Sequence, residues 1–86
     1  MSFTPGFAPG AQSQWVALEF QFQELVLDEL ERLALNPPAQ GEHIIDLIHE
    51  AQNDRHYIFL RVWVDHPQHK VTAIGVGHVG PGPVGQ

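Results

Sequence analysis

Eighty-six residues make one domain and no more, and a chain this short buries only roughly 60% of the surface it exposes when unfolded. Four Lys/Arg stand against ten Asp/Glu, a net charge of −6 with histidine neutral, the wrong sign for a surface that grips phosphates by displacing counterions. The lack of cysteine excludes disulfides and thiolate metal sites. With no basic-then-apolar leader and no apolar run long enough to span a bilayer, a cytoplasmic protein with no membrane association is expected.

The first ten residues are broken by Pro5, Gly6, Pro9 and Gly10, leaving room for a short strand near Phe3. Ala11, Trp15 and Leu18 lie on a helical stripe, whereas Leu18 to Gln23 alternates as a strand would. Residues 11–35 therefore admit one long helix, two helices broken near Glu19, or a strand followed by a helix. From Phe22 to Leu35 the pattern is unambiguous. Phe22, Val26, Leu27, Leu30, Leu33 and Ala34 share one side of a 3.6-residue period, with Gln21, Glu24, Asp28, Glu31 and Arg32 opposite, which predicts an amphipathic helix. Asp28 and Arg32 are spaced for an i,i+4 pair, and Asn36-Pro37-Pro38 supplies the stop.

The second half predicts β structure over His43–Ala51, Arg55–Asp65 and Lys70–His78. The middle segment carries Ile58, Leu60, Val62 and Val64 on one face and Tyr57, Phe59, Arg61 and Trp63 on the other, and a strand apolar on both faces is covered on both faces. Asp65 to His69 is a connection of hairpin length, so the last two strands are expected to pair antiparallel. The domain is expected to span residues 1–79, with the Gly/Pro-rich residues 80–86 disordered.

Leu30-Glu31-Arg32-Leu33-Ala34-Leu35-Asn36-Pro37, His56-Tyr57 to Val64, Asp65, and Val71 to His78 with its Val76-Gly77-His78 follow one another in an order that resembles the RelE/ParE superfamily of bacterial type II toxin–antitoxin toxins. The resemblance runs from about Trp15 to His78. It implies an α+β fold in which an N-terminal helical hairpin packs on one face of a mostly antiparallel sheet of three or four strands, and it favours two helices, although the proline usual at the break is Glu19 here. It also implies a toxin-like component bound by a cognate antitoxin.

The chemistry of the RNA-cleaving members carries over poorly. The arginine expected after the strand tyrosine is Ile58, the one expected after Gly-His is Val79, the lysines common on the preceding strand are replaced by Ile44, Ile45, Asp46 and Leu47, and nothing aromatic follows Trp63. Of the family positions only His78 remains, a residue suited to general acid–base work near neutral pH. Arg61 is expected to pair with Asp46 or Glu50 on the neighbouring strand. Tyr57, Phe59, Arg61 and Trp63 make a face suited to protein rather than nucleic acid.

The function expected first is therefore protein binding without RNA cleavage. Its partners would be an antitoxin, a cellular target such as gyrase, or a second copy in a homodimer. The alternative is a ribosome-dependent endoribonuclease using His78 and Arg61. A third reading, a metal-responsive binding module, rests on His66 and His69, but two loop histidines fall short of the three or four ligands a site needs. No metal or other cofactor is expected.

Overall fold

The computed structural model describes residues 2–52 and 54–83, which form β1 (Thr4–Phe7), α1 (Pro9–Val16), α2 (Phe20–Leu35), β2 (Gly41–Ala51), β3 (Asp54–Asp65) and β4 (Lys70–Pro83). Of the three readings open for residues 11–35, two helices is the one adopted. Pro9 opens α1, where its missing N–H is no loss. Glu19 then enters α2 in an extended conformation, φ −66° and ψ 156°. A reciprocal clasp holds the break: Trp15 Nε1 donates to the Gln23 carbonyl (3.1 Å), and Gln23 Nε2 donates back to the carbonyls of Trp15 (3.2 Å) and Val16 (3.3 Å). Trp15 also packs on Phe7, ring centres 5.3 Å apart.

The predicted stripe of α2 is its inner face, with Phe22, Val26, Leu30, Leu33 and Ala34 buried. Arg32 pairs with Glu29, one turn back, rather than with Asp28. The Glu29 side chain is only 11% exposed, so the arginine reaches the carboxylate that most needs a partner.

The strands form one mixed sheet in the order β1-β4-β3-β2. β1 runs parallel to β4, and the other neighbours are antiparallel. Both helices lie on one face, where Ile58, Leu60, Val62, Val64, Val71 and Ala73 are fully buried against α1 and α2. β1 covers β4 only as far as Ala73. Just beyond it, α1 takes over: the Val76 N–H donates to Gln14 Oε1 (2.8 Å).

β4 runs past His78 into the Gly/Pro-rich residues. The strand continues to Pro83, with Gly82 opposite Arg55 and Pro83 opposite Asp54. Proline is tolerated there because β4 has lost its β1 neighbour on the other side, and an edge position needs no N–H. The rest of the expected tail, residues 84–86, lies outside the described residues.

Phe22→Ala is expected to lower unfolding free energy by about 3–5 kcal/mol. Phe20→Ala, two residues earlier but 71% exposed, should change it by less than about 0.5 kcal/mol. Urea denaturation of the two variants separates them.

Candidate functional site on the open face of the sheet

The face of the sheet away from the helices is built by strict alternation along β2 and β3. Their continuous register places Glu42, Ile44, Asp46, Ile48 and Glu50 opposite Trp63, Arg61, Phe59, Tyr57 and Arg55. Ile44 and Ile48 are 62% and 53% exposed, Phe59 and Trp63 stand 41% and 43% in solvent, and Val79 is exposed opposite Tyr57. An apolar surface of this continuity is unusual for a monomer. Its centre is a depression of about 270 Å³ lined by Ile44, Phe59, Arg61, Gly75, Val76 and Gly77. The glycines make the room, since a Cβ on Gly77 would lie 3.8 Å from the Phe59 ring and one on Gly75 3.6 Å from Arg61 Cβ.

The two arginines of this face are paired. Arg61 lies 3.6 Å from Glu42, not beside Asp46 or Glu50 as expected. Its direct neighbour on β2 is Ile44, so it reaches diagonally for a carboxylate. Arg55 bonds Glu50 (2.8 Å) and donates to the Tyr57 hydroxyl at 3.5 Å. The Tyr57 contact, with Glu50 adding its charge against the opposing effect of burial, holds the Arg55 guanidinium above its ordinary value.

His78 is not on this face. Strict alternation from Val71 would put it on this face opposite Tyr57, but β4 carries an extra residue at Ile74, where the register shifts between Val62–Ala73 and Arg61–Gly75. A one-residue bulge inverts every later side chain. His78 therefore faces Ile58 and α2, its ring 4.7 Å from that of Phe22, and its Nε2 shares a proton with His56 Nδ1 at 2.9 Å. His49 completes a group of three imidazoles around Phe22, with ring centres 4.7–5.3 Å from it. The structure brings Tyr57, Phe59, Arg61 and Trp63 together and separates His78 from Arg61 by the thickness of the sheet.

The turn histidines act as braces. His66 Nε2 donates to the Pro38 carbonyl (2.7 Å), while its backbone N–H donates to Gln40 Oε1 (2.8 Å). His69 stacks on Phe3 at 5.1 Å, and Phe3 meets the His66 ring edge-on. His43 Nε2 donates to the Ala39 carbonyl (2.8 Å). These contacts hold the Pro37–Gly41 loop at the end of the sheet, so it does not cover the aromatics. Among the described residues no three His, Asp or Glu side chains converge as metal ligands, and no helix is long and apolar enough to cross a membrane.

Sequence reasoning missed Ile44 and Ile48 as members of the face and Glu42 as the partner of Arg61. The period-two pattern from Glu42 to Glu50 carries that information, because its isoleucines alternate with its acids on one side.

Two helices on one face of a four-stranded sheet, with the opposite face uncovered among the described residues, give a RelE-like fold. Solved structures of E. coli RelE are similar to it. An arginine-substituted variant of the E. coli toxin RelE in its free state has a TM-score of 0.74 at 19% identity, covering 90% of this chain and 83% of that one. The E. coli RelBE toxin–antitoxin complex gives 0.73 at 17% identity over 92% and 99%. Isolated E. coli RelE in another crystal form gives 0.66 at 15% over 94% and 88%. No protein-family model and no curated protein matches the chain by sequence.

A second irregularity in β4, near Gly80, yields a stability prediction. Gly80 has φ +131°, and a Cβ there would lie 3.0 Å from the Arg55 carbonyl. Gly80→Ala should cost more than about 1 kcal/mol, whereas Gly77→Ala, which meets only ordinary contact distance, should leave the thermal midpoint within a few degrees of wild type.

Proposed function

We propose that the chain is a toxin-like component of a toxin–antitoxin pair that works by binding protein through the open face of its sheet, without cutting RNA. The observation that carries this reading is the face itself. It carries Tyr57, Phe59, Trp63, Ile44 and Ile48, with a depression lined by Ile44 and Phe59, and the face's two arginines are already engaged by glutamates.

A cognate antitoxin is the partner that the likeness to the RelBE toxin–antitoxin complex suggests. A cellular protein such as gyrase is a further candidate target. Exposed aromatic and aliphatic side chains flanked by charge are the usual material of a binding hot spot.

RNA chemistry has less support. Cleavage needs cationic groups at the phosphate and a proton-transfer residue within reach of the same atoms. Arg61 is engaged by Glu42, and His78 points away from it toward Phe22. The net charge of −6 repels a polyanion.

The test first asks whether the reading frame beside this chain encodes a small antitoxin-like protein, and then uses that protein as the partner. Trp63→Ala should weaken its binding by roughly 30-fold or more, as expected for a hot-spot aromatic. Trp15→Ala, on the other side of the sheet, should lower stability and leave affinity in the folded protein near wild type. Purified wild type should not cleave mRNA on programmed ribosomes. Cleavage abolished by His78→Ala would overturn the proposal, as would binding indifferent to Trp63.

A further inference from the structure

The outer edge of the sheet carries a pattern that the open face does not explain. Residues 42–50 read Glu-His-Ile-Ile-Asp-Leu-Ile-His-Glu. Apart from the exchange of Ile45 for Leu47, the run is the same in both directions about Asp46. It lies entirely within β2, the last strand of the sheet, whose second side has no neighbouring strand among the described residues.

Proteins ordinarily blunt such an edge with short length, proline, lysine or a bulge. β1, at the opposite edge, is blunted in this way: it is four residues long and contains Pro5. β2 is eleven residues long, contains neither proline nor lysine, and pairs with β3 without any shift of register from Gly41 to Ala51. It is a straight, regular template for another strand.

We infer that β2 joins a second copy of this chain, antiparallel and centred on Asp46, to give a continuous eight-stranded sheet about a two-fold axis. Side-chain parity restricts the register, because antiparallel partners must lie on the same face of the joined sheet. Of the permitted registers, the one centred on Asp46 sets Ile44 against the second copy's Ile48 on the open face, and Ile45 against its Leu47 on the helix face. Shifting the centre to Ile45 or Leu47 places Ile48 or Ile44 against a glutamate. The centred register also covers the two most exposed aliphatic side chains of β2, Ile44 and Ile48.

The acids oppose this pairing to different degrees. Glu42 faces the second copy's Glu50, but each has an arginine on its inner side, Arg61 for Glu42 and Arg55 for Glu50. Asp46 faces Asp46 on the axis, where like charges directly opposite are destabilising. Asp46 is therefore a brake that keeps the association reversible, and a probe of register, since only at the centre does a residue meet its own copy.

The experiment is a charge swap. Asp46→Lys is mixed with wild type, and the species are counted by native mass spectrometry and by sedimentation over a concentration series. Lysine then faces aspartate, so the heterodimer should form roughly 2- to 30-fold more tightly than either homodimer. Asp46→Asn alone should tighten self-association by roughly two- to fivefold. Ile48→Lys, at an exposed position that the fold tolerates, should abolish it. Amides along residues 42–50 should gain hydrogen-exchange protection as concentration rises, and Trp63→Ala should leave that gain unchanged. The inference is overturned if wild type and mixtures stay monomeric throughout, or if a dimer forms that ignores position 46. Loss of the dimer in Trp63→Ala would also overturn it, placing self-association on the open face.

Discussion

Everything in this molecule follows from one strand that needs cover on two sides and a helical layer that reaches only one. β3 turns Ile58, Leu60, Val62 and Val64 into the core, where burial of each side chain is worth about 1.5–3 kcal/mol. The same strand turns Tyr57, Phe59 and Trp63 outward. Twenty-four helical residues, those of α1 and α2, roof one side of four strands, and among the described residues no further element covers the other. The core so formed is small and has no disulfide, so the outward face is a standing reserve of apolar surface that a partner can convert into binding energy.

The two irregularities of β4 decide what each face contains. The extra residue at Ile74 inverts the strand below it. Val76 and His78 thereby turn inward, and Gly75 and Gly77 turn outward, where they leave the depression beside Phe59. Had alternation continued, a histidine would stand on the open face opposite Tyr57, and the glycines would face the helices. A single inserted residue thus exchanges a proton-transfer group for a cavity. Near Gly80 the strand slips again, and only glycine permits the positive φ and the close approach to the Arg55 carbonyl. With both bulges in place, His78 meets His56 and the ring of Phe22.

Most of the fold was legible because it rests on periodicity. The α2 stripe, the alternation of β3, the hairpin-length loop at Asp65–His69 and the stop at Asn36-Pro37 are local signals that tertiary structure did not override. The order of elements supplied the RelE-like architecture. The helix break was ambiguous because Glu19 lacks the fixed backbone of proline, and its true cause is a pair of side chain–backbone hydrogen bonds between Trp15 and Gln23 that no spacing rule announces. The pairing of Arg32 and Arg61 was misjudged for a related reason. Ion-pair choice depends on which carboxylate is partly shielded and on diagonal reach across strands, neither of which spacing alone reveals. The side to which His78 points was beyond the sequence altogether, because nothing in Ala73-Ile74-Gly75 requires the bulge to fall there, although a glycine within a strand is a hint of one.

Charge distribution completes the account of what the open face can recognise. Its acids recur every fourth residue along β2, at Glu42, Asp46 and Glu50, and its arginines stand on β3 within reach of the outer two. The pairing neutralises the cations without neutralising the protein, which keeps its net −6. A polyanion approaching this surface would have to displace a glutamate from each arginine before contacting it, losing a cross-strand pair in exchange for a phosphate contact in which long-range repulsion is already working against it. A basic amphipathic segment meets the opposite situation. Its apolar side finds Ile44, Ile48, Phe59 and Trp63, and its cations find Asp46, the acid between the two pairs. Both arginines of the sheet face lie against glutamates, and the proposed protein-binding role rests on that arrangement.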